Sequence, residues 1–202
     1  MAFLLSIDTS LTEVSALNDP GLTGVVVRMP ATDLLTGKFN ASFHQILEQE
    51  LELYCQVALE NMGTISTQEM WVQLERLQAQ FHRARIVLPF HKQSLELVKM
   101  STNYGWNWHV EGVTDTISVT KVLAAGVGGM WIRVGELDEQ HEQMGDELCS
   151  KARSIVDELF STERKPLVVA TDVRDADHIE RTVLYGCDRL VLTDGVWTAV
   201  CR

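Results

Sequence analysis

Short apolar runs alternate with helical patterns along this 202-residue chain, and that alternation predicts an α/β fold. Three observations carry the prediction. Eight runs rich in Val, Ile and Leu read as buried parallel strands, near residues 3–7, 24–28, 52–58, 85–89, 107–113, 130–134, 166–171 and 189–193. Segments of helical period lie between most of them. No low-complexity linker or internal repeat divides the chain, so residues 1–202 read as one domain. The pattern fits a (β/α)8 barrel, and it fits a doubly wound sheet nearly as well. The length is short for a barrel, whose usual size is about 250 residues.

The clearest helix runs from Thr67 to Arg83. Ser66 precedes it and Glu69 follows three residues on, a capping-box arrangement. Its apolar positions Met70, Trp71, Leu74, Leu77 and Phe81 keep helical spacing. A second helix spans Glu142 to Phe160 through Leu148, Ile155, Val156 and Leu159. The polar, acidic stretch Glu136 to Gly145 reads as a loop and the start of that helix. After the eighth strand, residues 193–202 leave room for about two helical turns.

Composition narrows the function. A net charge of -11 argues against general binding to nucleic acid or anionic membranes, since both need basic surface. Cys55, Cys149, Cys187 and Cys201 form no Cys-x-x-Cys pair and no zinc spacing. The N-terminus lacks a basic secretory region, and no apolar run reaches the roughly 18 residues of a membrane span. These features predict a reduced, cytoplasmic protein.

Several segments in order resemble the transaldolase family, in its small fructose-6-phosphate aldolase branch. Ser6 to Ser10 (SIDTS) resembles a first strand ending in Asp-Thr, and Gly24 to Pro30 (GVVVRMP) resembles G-V-T-T-N-P. Tyr54 to Val57 (YCQV) resembles the third strand with its glutamine, and Arg85 to Leu95 (RIVLPFHKQSL) the fourth strand, V-V-K-x-P. Ala124 to Gly135, Ala170 to Arg174 (ATDVR) and Tyr185 to Leu192 resemble the sixth strand, the A-S-[IF]-[RK] strand and the approach to the last strand. The resemblance decides for the barrel, and implies a transaldolase-like one with a shortened C-terminus. Family members continue into a further helix that packs on a neighbouring subunit.

The resemblance also implies which chemistry is kept. Asp8 matches an aspartate that assists proton transfer, Gln56 the third-strand glutamine, and Arg174 a basic residue near the phosphate. Val87 stands where the family has its Schiff-base lysine, and a valine cannot form an imine. Met29 falls at the asparagine of the second strand, Glu111 at a threonine, and Arg133 at a catalytic tyrosine. Glu136 and Asp172 replace an arginine and a serine of the phosphate site. Each adds a negative charge where a sugar phosphate would sit, at a cost of about 1–4 kcal/mol near 4 Å.

The candidate site is therefore the barrel mouth. Asp8, Glu111 and Arg133 are the candidate catalytic residues, and Gln56, Asp172 and Arg174 the candidate ligand-binding residues. His109 shares a strand face with Glu111. An ion-paired filling of the mouth, a carboxylate-rich cation site from Asp8, Glu111 and Asp172, and a site for a small polar zwitterion all remain open. The assignment carries no metal and no cofactor. Arg133 is expected to be enclosed and paired with Asp8 or Glu111, so that its removal costs about 3–5 kcal/mol. Lys92 follows strand four and looks exposed, and Lys99 and Lys121 fall on helices. His178 matches a histidine of possible capping role, and Gly126 to Gly129 reads as a tight turn rather than a phosphate loop.

Two functions follow. One is a non-catalytic binding or scaffolding barrel, with a homo-oligomer or protein partner on the shortened C-terminal side, where Trp197 and Val200 could cover apolar wall, and with a small polar ligand. The other is a lyase or aldolase of lysine-independent mechanism, with Glu111 as base and Arg133 as electrostatic stabiliser. An open or a plugged mouth separates them. Both expect no imine: borohydride with fructose 6-phosphate or dihydroxyacetone should add no mass to the chain, and an adduct on Lys92 would contradict them.

Overall fold

The computed structural model describes residues 2–8, 21–30, 33, 42–48, 50–58, 65–161 and 165–201. Eight parallel strands close into a barrel in chain order: β1 (Ala2–Asp8), β2 (Leu22–Pro30), β3 (Glu52–Ala58), β4 (Arg85–Pro89), β5 (His109–Glu111), β6 (Gly129–Arg133), β7 (Leu167–Thr171) and β8 (Arg189–Leu192). β8 returns to pair with β1, Leu4 opposite Val191, which excludes the doubly wound sheet. The helices among the described residues are α1 (Ser42–Glu48), α2 (Thr67–Gln80), α3 (Lys92–Thr102), α4 (Thr116–Ala124), α5 (Val134–Gln140), α6 (Met144–Leu159), α7 (Ala176–Leu184) and α8 (Asp194–Cys201).

Local chemistry sets the helix starts. Ser66 Oγ accepts from the Glu69 amide at 3.2 Å, and the Glu69 carboxylate accepts from the Ser66 amide at 3.0 Å, which is the capping box read from sequence. Asp115 and Asp175 cap α4 and α7 in the same one-sided way, each accepting an amide three residues on. Asp175 thus takes the capping role considered for His178, which is buried in the first turn of α7 instead. The stretch from Glu136 to Gly145 departs from expectation in part: its first half, to Gln140, belongs to α5, which packs Val134 and Leu137 inward, and the expected helix start follows at Met144. Of the acidic residues of α5, Glu136 and Glu139 are exposed, while Asp138 is half-buried against the neighbouring helices.

Two cores result. The larger lies between strands and helices and takes in Val25, Leu53, Ile86, Val110, Ile132, Ala170 and Leu190 with the apolar helix faces. The smaller fills the barrel: Leu4, Val26, Tyr54, Val87, Trp131, Val169 and Val191. α8 closes the wall, with Trp197 buried edge-on to Phe3 at 6.1 Å while Val200 stays exposed. Cys55, Cys149 and Cys187 are free and buried.

The barrel interior is layered. At the bottom Glu52 accepts from Tyr54 Oη at 2.9 Å and pairs with Arg85 at 3.0 Å and Arg189 at 3.6 Å. Above it the Tyr54, His109 and Trp131 rings meet edge to face, and Trp131 Nε1 donates to His109 Nδ1 at 3.0 Å. Gly129 makes room for that histidine, since a Cβ there would lie 2.4 Å from His109 Nδ1. His109 therefore belongs to the middle layer, below the mouth, although it shares the inward face with Glu111.

Burial, with Arg85 and Arg189 nearby, pulls the His109 pKa from 6.5 down to about 3. The folded state then holds the imidazole neutral, while the unfolded chain takes up a proton below 6.5. This stabilisation is complete above pH 6.5 and is lost as pH falls toward 3. His109→Gln keeps an acceptor for Trp131 and removes the titration. Chemical denaturation between pH 7 and 4 should show a shallower acid loss for that variant, by up to about 1.4 kcal/mol per pH unit. Parallel curves for the two proteins would mean that His109 is protonated in the fold.

Candidate functional site at the barrel mouth

The top layer of inward side chains forms an open cavity of about 310 Å³. Ser6, Arg28, Gln56, Glu111, Arg133 and Thr171 line its sides, Asp172, Glu136 and Thr193 its rim, and Trp131 and Val191 its floor. The position follows from strand parity: each of the six residues on the sides lies two beyond a residue of the middle layer, as Arg28 follows Val26 and Arg133 follows Trp131. The C-terminal ends of the strands are where barrels of this type place their chemistry.

One wall is an ordered polar network. Arg133 Nε pairs with Glu111 Oε1 at 3.1 Å, and its Nη1 with Glu136 Oε2 at 3.2 Å. Gln56 Nε2 donates to the other Glu111 oxygen. Both oxygens of Glu111 therefore carry donors, and the residue is only 8% exposed. Burial opposes the charge on Arg133, but Glu111 and Glu136 outweigh it and raise its pKa. The guanidinium is not enclosed, however: the Arg133 side chain is 40% exposed at the rim. The larger cost expected for a fully buried pair does not apply.

The other expected residues are spread out. Asp8 ends β1 opposite Arg28, and its side chain lies outside the described part of the structure. Asp172 follows β7 in the left-handed region at φ 59, beside α5. Gly135 permits that approach, since a Cβ there would stand 2.3 Å from the Asp172 carbonyl oxygen. Arg174 turns to the outer rim, pairing with Glu139 at 2.7 Å and Asp172 at 3.0 Å, and does not line the cavity. Hydrogen bonding to Asp172 and Glu139 raises its pKa. Lys92 opens α3 on the surface and Val87 is wholly buried, so among the described residues the cavity lining contains no amine.

Arg28 is the residue sequence reasoning missed. Alignment to the family motif put Met29 in the site, but Met29 is buried on the outer face of β2 among the helix-facing residues. Arg28 pairs in register with Gln56, and Gln56 with Val87. The consecutive Val25, Val26 and Val27 hid the alternation that would have placed Arg28 inward. Arg28 makes no ion pair with another described residue, unlike Arg133 and Arg174.

No family model matches this chain, and no curated protein does. Solved structures do match. The Amycolatopsis orientalis BexX/CysO complex aligns with a TM-score of 0.62 at 9% identity, over 96% of this chain and 80% of that one. Thiamine phosphate pyrophosphorylase from Pyrococcus furiosus gives 0.61 at 12% identity, over 99% and 89%. The native KDPGal structure gives 0.59 at 11%, over 95% and 82%. A cube-shaped cage designed by fusing symmetric oligomeric domains gives 0.59 at 13%, and this chain spans 63% of its length. At these identities the likeness shows the barrel fold alone.

The Glu111 network fixes an expectation for stability. Arg133→Met removes one charge-assisted partner from a nearly buried carboxylate but leaves the Gln56 donor and a solvent path. Urea denaturation at neutral pH should show a loss of roughly 1–3 kcal/mol, below that of a fully buried pair. A variant as stable as the parent would show that the pair contributes nothing in solution.

Proposed function

We propose that the protein is a divergent transaldolase-type barrel without imine chemistry, which binds a small polar zwitterion at its mouth and does not cleave carbon–carbon bonds. The observation that carries this reading is the cavity itself: open, charged with both signs, and lined by no lysine among the described residues. Arg28, without an ion pair among the described residues, suits a carboxylate of the ligand. Glu136 and Asp172 on the rim suit its ammonium group, and the Ser6, Thr171 and Thr193 side chains offer further hydrogen bonds. About 310 Å³ suits a molecule of amino-acid size. A sugar phosphate fits poorly, because the same rim carboxylates would face its dianion.

The open mouth also favours a second reading, in which Glu111 is a base and Arg133 stabilises negative charge without any lysine. The obstacle is that both Glu111 oxygens already hold donors. A protein partner or a second copy on the C-terminal side remains a proposal of the same standing: it rests on exposed Val200, since Trp197 is already covered. Among the described residues no helix is long and apolar enough to cross a membrane.

A calorimetric screen of free amino acids and small amino-carboxylates, with fructose 6-phosphate and glyceraldehyde 3-phosphate alongside, tests the main reading. A zwitterion should bind more tightly than either phosphate, and Arg28→Met should weaken it about tenfold or more. Tighter binding of a sugar phosphate, or an affinity indifferent to Arg28, would sink it. Substrate turnover abolished by Glu111→Gln would establish the second reading instead.

A further inference from the structure

Outside the barrel wall, α5, α6 and α7 bring three potential ligand atoms together: Asp138 from α5, Asp146 from the first turn of α6 and His178 from the first turn of α7. One ligand atom from each lies within 4.8 Å of the other two, and none of the three residues lines the mouth cavity. We propose that Asp138, Asp146 and His178 form a divalent-cation site, with zinc the cation that fits best.

The burial of the cluster separates it from an ordinary acidic patch. The Asp146 side chain is 0% exposed and the His178 side chain 5%. His178 Nε2 is buried and has no hydrogen-bond partner among the described residues. It points at Asp138 Oδ2 from 3.6 Å. That distance is long for a hydrogen bond, which would bring the atoms to about 2.7–3.2 Å. It matches the edge between two ligands of a tetrahedral zinc, which stand roughly 3.3–3.6 Å apart when each is about 2.0–2.2 Å from the metal.

The carboxylates are oriented by neighbours that hold one oxygen of each. The Gly145 amide donates to Asp138 Oδ1 at 2.8 Å, while Thr182 Oγ1 lies 3.2 Å from Asp146 Oδ1 and shares its one proton between that oxygen and the nearer His178 carbonyl at 2.6 Å. Asp138 Oδ2 lies nearest His178 Nε2, and Asp146 Oδ2 accepts from Arg181 Nε. A mixed imidazole and carboxylate set favours zinc over magnesium or calcium, which take oxygen ligands alone.

Arg181 opposes the cation and must be accounted for. Its Nε lies 3.1 Å from Asp146 Oδ2 and its Nη2 3.8 Å from Asp138 Oδ2, so the guanidinium supplies the counter-charge in this arrangement. The Arg181 side chain is 41% exposed and can turn into solvent when a cation enters. A zinc ion balances the two carboxylates by charge, and a water can complete the tetrahedron. The site would pin three consecutive helices, including α5, whose Glu136 and Glu139 hold Arg133 and Arg174.

Equilibrium dialysis of the chelator-treated full chain against zinc, with competition by a chromophoric chelator, tests the site. The expected result is one zinc per chain and a rise in melting temperature. His178→Gln and Asp138→Asn should each weaken binding about tenfold or more, with folding checked by circular dichroism. Arg181→Gln removes the competing cation and should tighten binding; because it leaves all three ligand side chains in place, it keeps the test decisive if a ligand variant folds poorly. No saturable zinc, or an affinity unchanged by His178→Gln, would overturn the proposal. The second result would place the metal on the exposed histidines His82, His91 or His141.

Discussion

The indole of Trp131 donates to the imidazole of His109 in the middle of the barrel, and the interior is arranged around that bond. A closed eight-stranded barrel must be filled by its own side chains. Here three aromatic rings take most of the space, and large rings carry polar atoms that need partners. Trp131 finds one in His109, and Tyr54 finds Glu52 and Arg85 at the bottom. The apolar residues Leu4, Val26, Val87, Val169 and Val191 complete the layer. Because this layer is dense and neutral, the charged groups are confined to the two ends.

That separation explains the character of each end. The bottom is a matched ion cluster, with Glu52 shared by Arg85 and Arg189. The mouth is open, and its charges are only partly matched. Glu111, Arg133 and Glu136 bind one another along one wall, while Arg28 stands across the cavity without an ion pair among the described residues. Partner-free charge next to solvent costs little to maintain and is available to a ligand, whereas the same charge in the middle layer would have to be neutralised.

The architecture was largely legible in the sequence, because eight Val- and Ile-rich runs with helical segments between them leave few alternatives. What periodicity could not do was choose between a barrel and an open sheet; that depends on the pairing of β8 with β1, a contact between the two ends of the chain. Of the site, Gln56, Glu111 and Arg133 could be placed by counting from the strand ends. Arg28 could not, since three consecutive valines precede it and give no parity. Arg174 was misjudged for another reason. Two residues beyond a strand end, the left-handed turn at Asp172 redirects the chain, and no strand rule survives it. The cluster of Asp138, Asp146 and His178 was invisible because its members share no short spacing; only the packing of three helices unites them.

The bond between Trp131 and His109 also decides where protons can travel. An indole nitrogen can donate but never accept. Nδ1 of His109 must therefore present its lone pair, and the neutral ring carries its hydrogen on Nε2. That nitrogen is buried and meets no acceptor among the described residues. The neutral ring is held in one tautomer, and among the described residues it offers no hydrogen-bonded relay between the polar ends of the barrel.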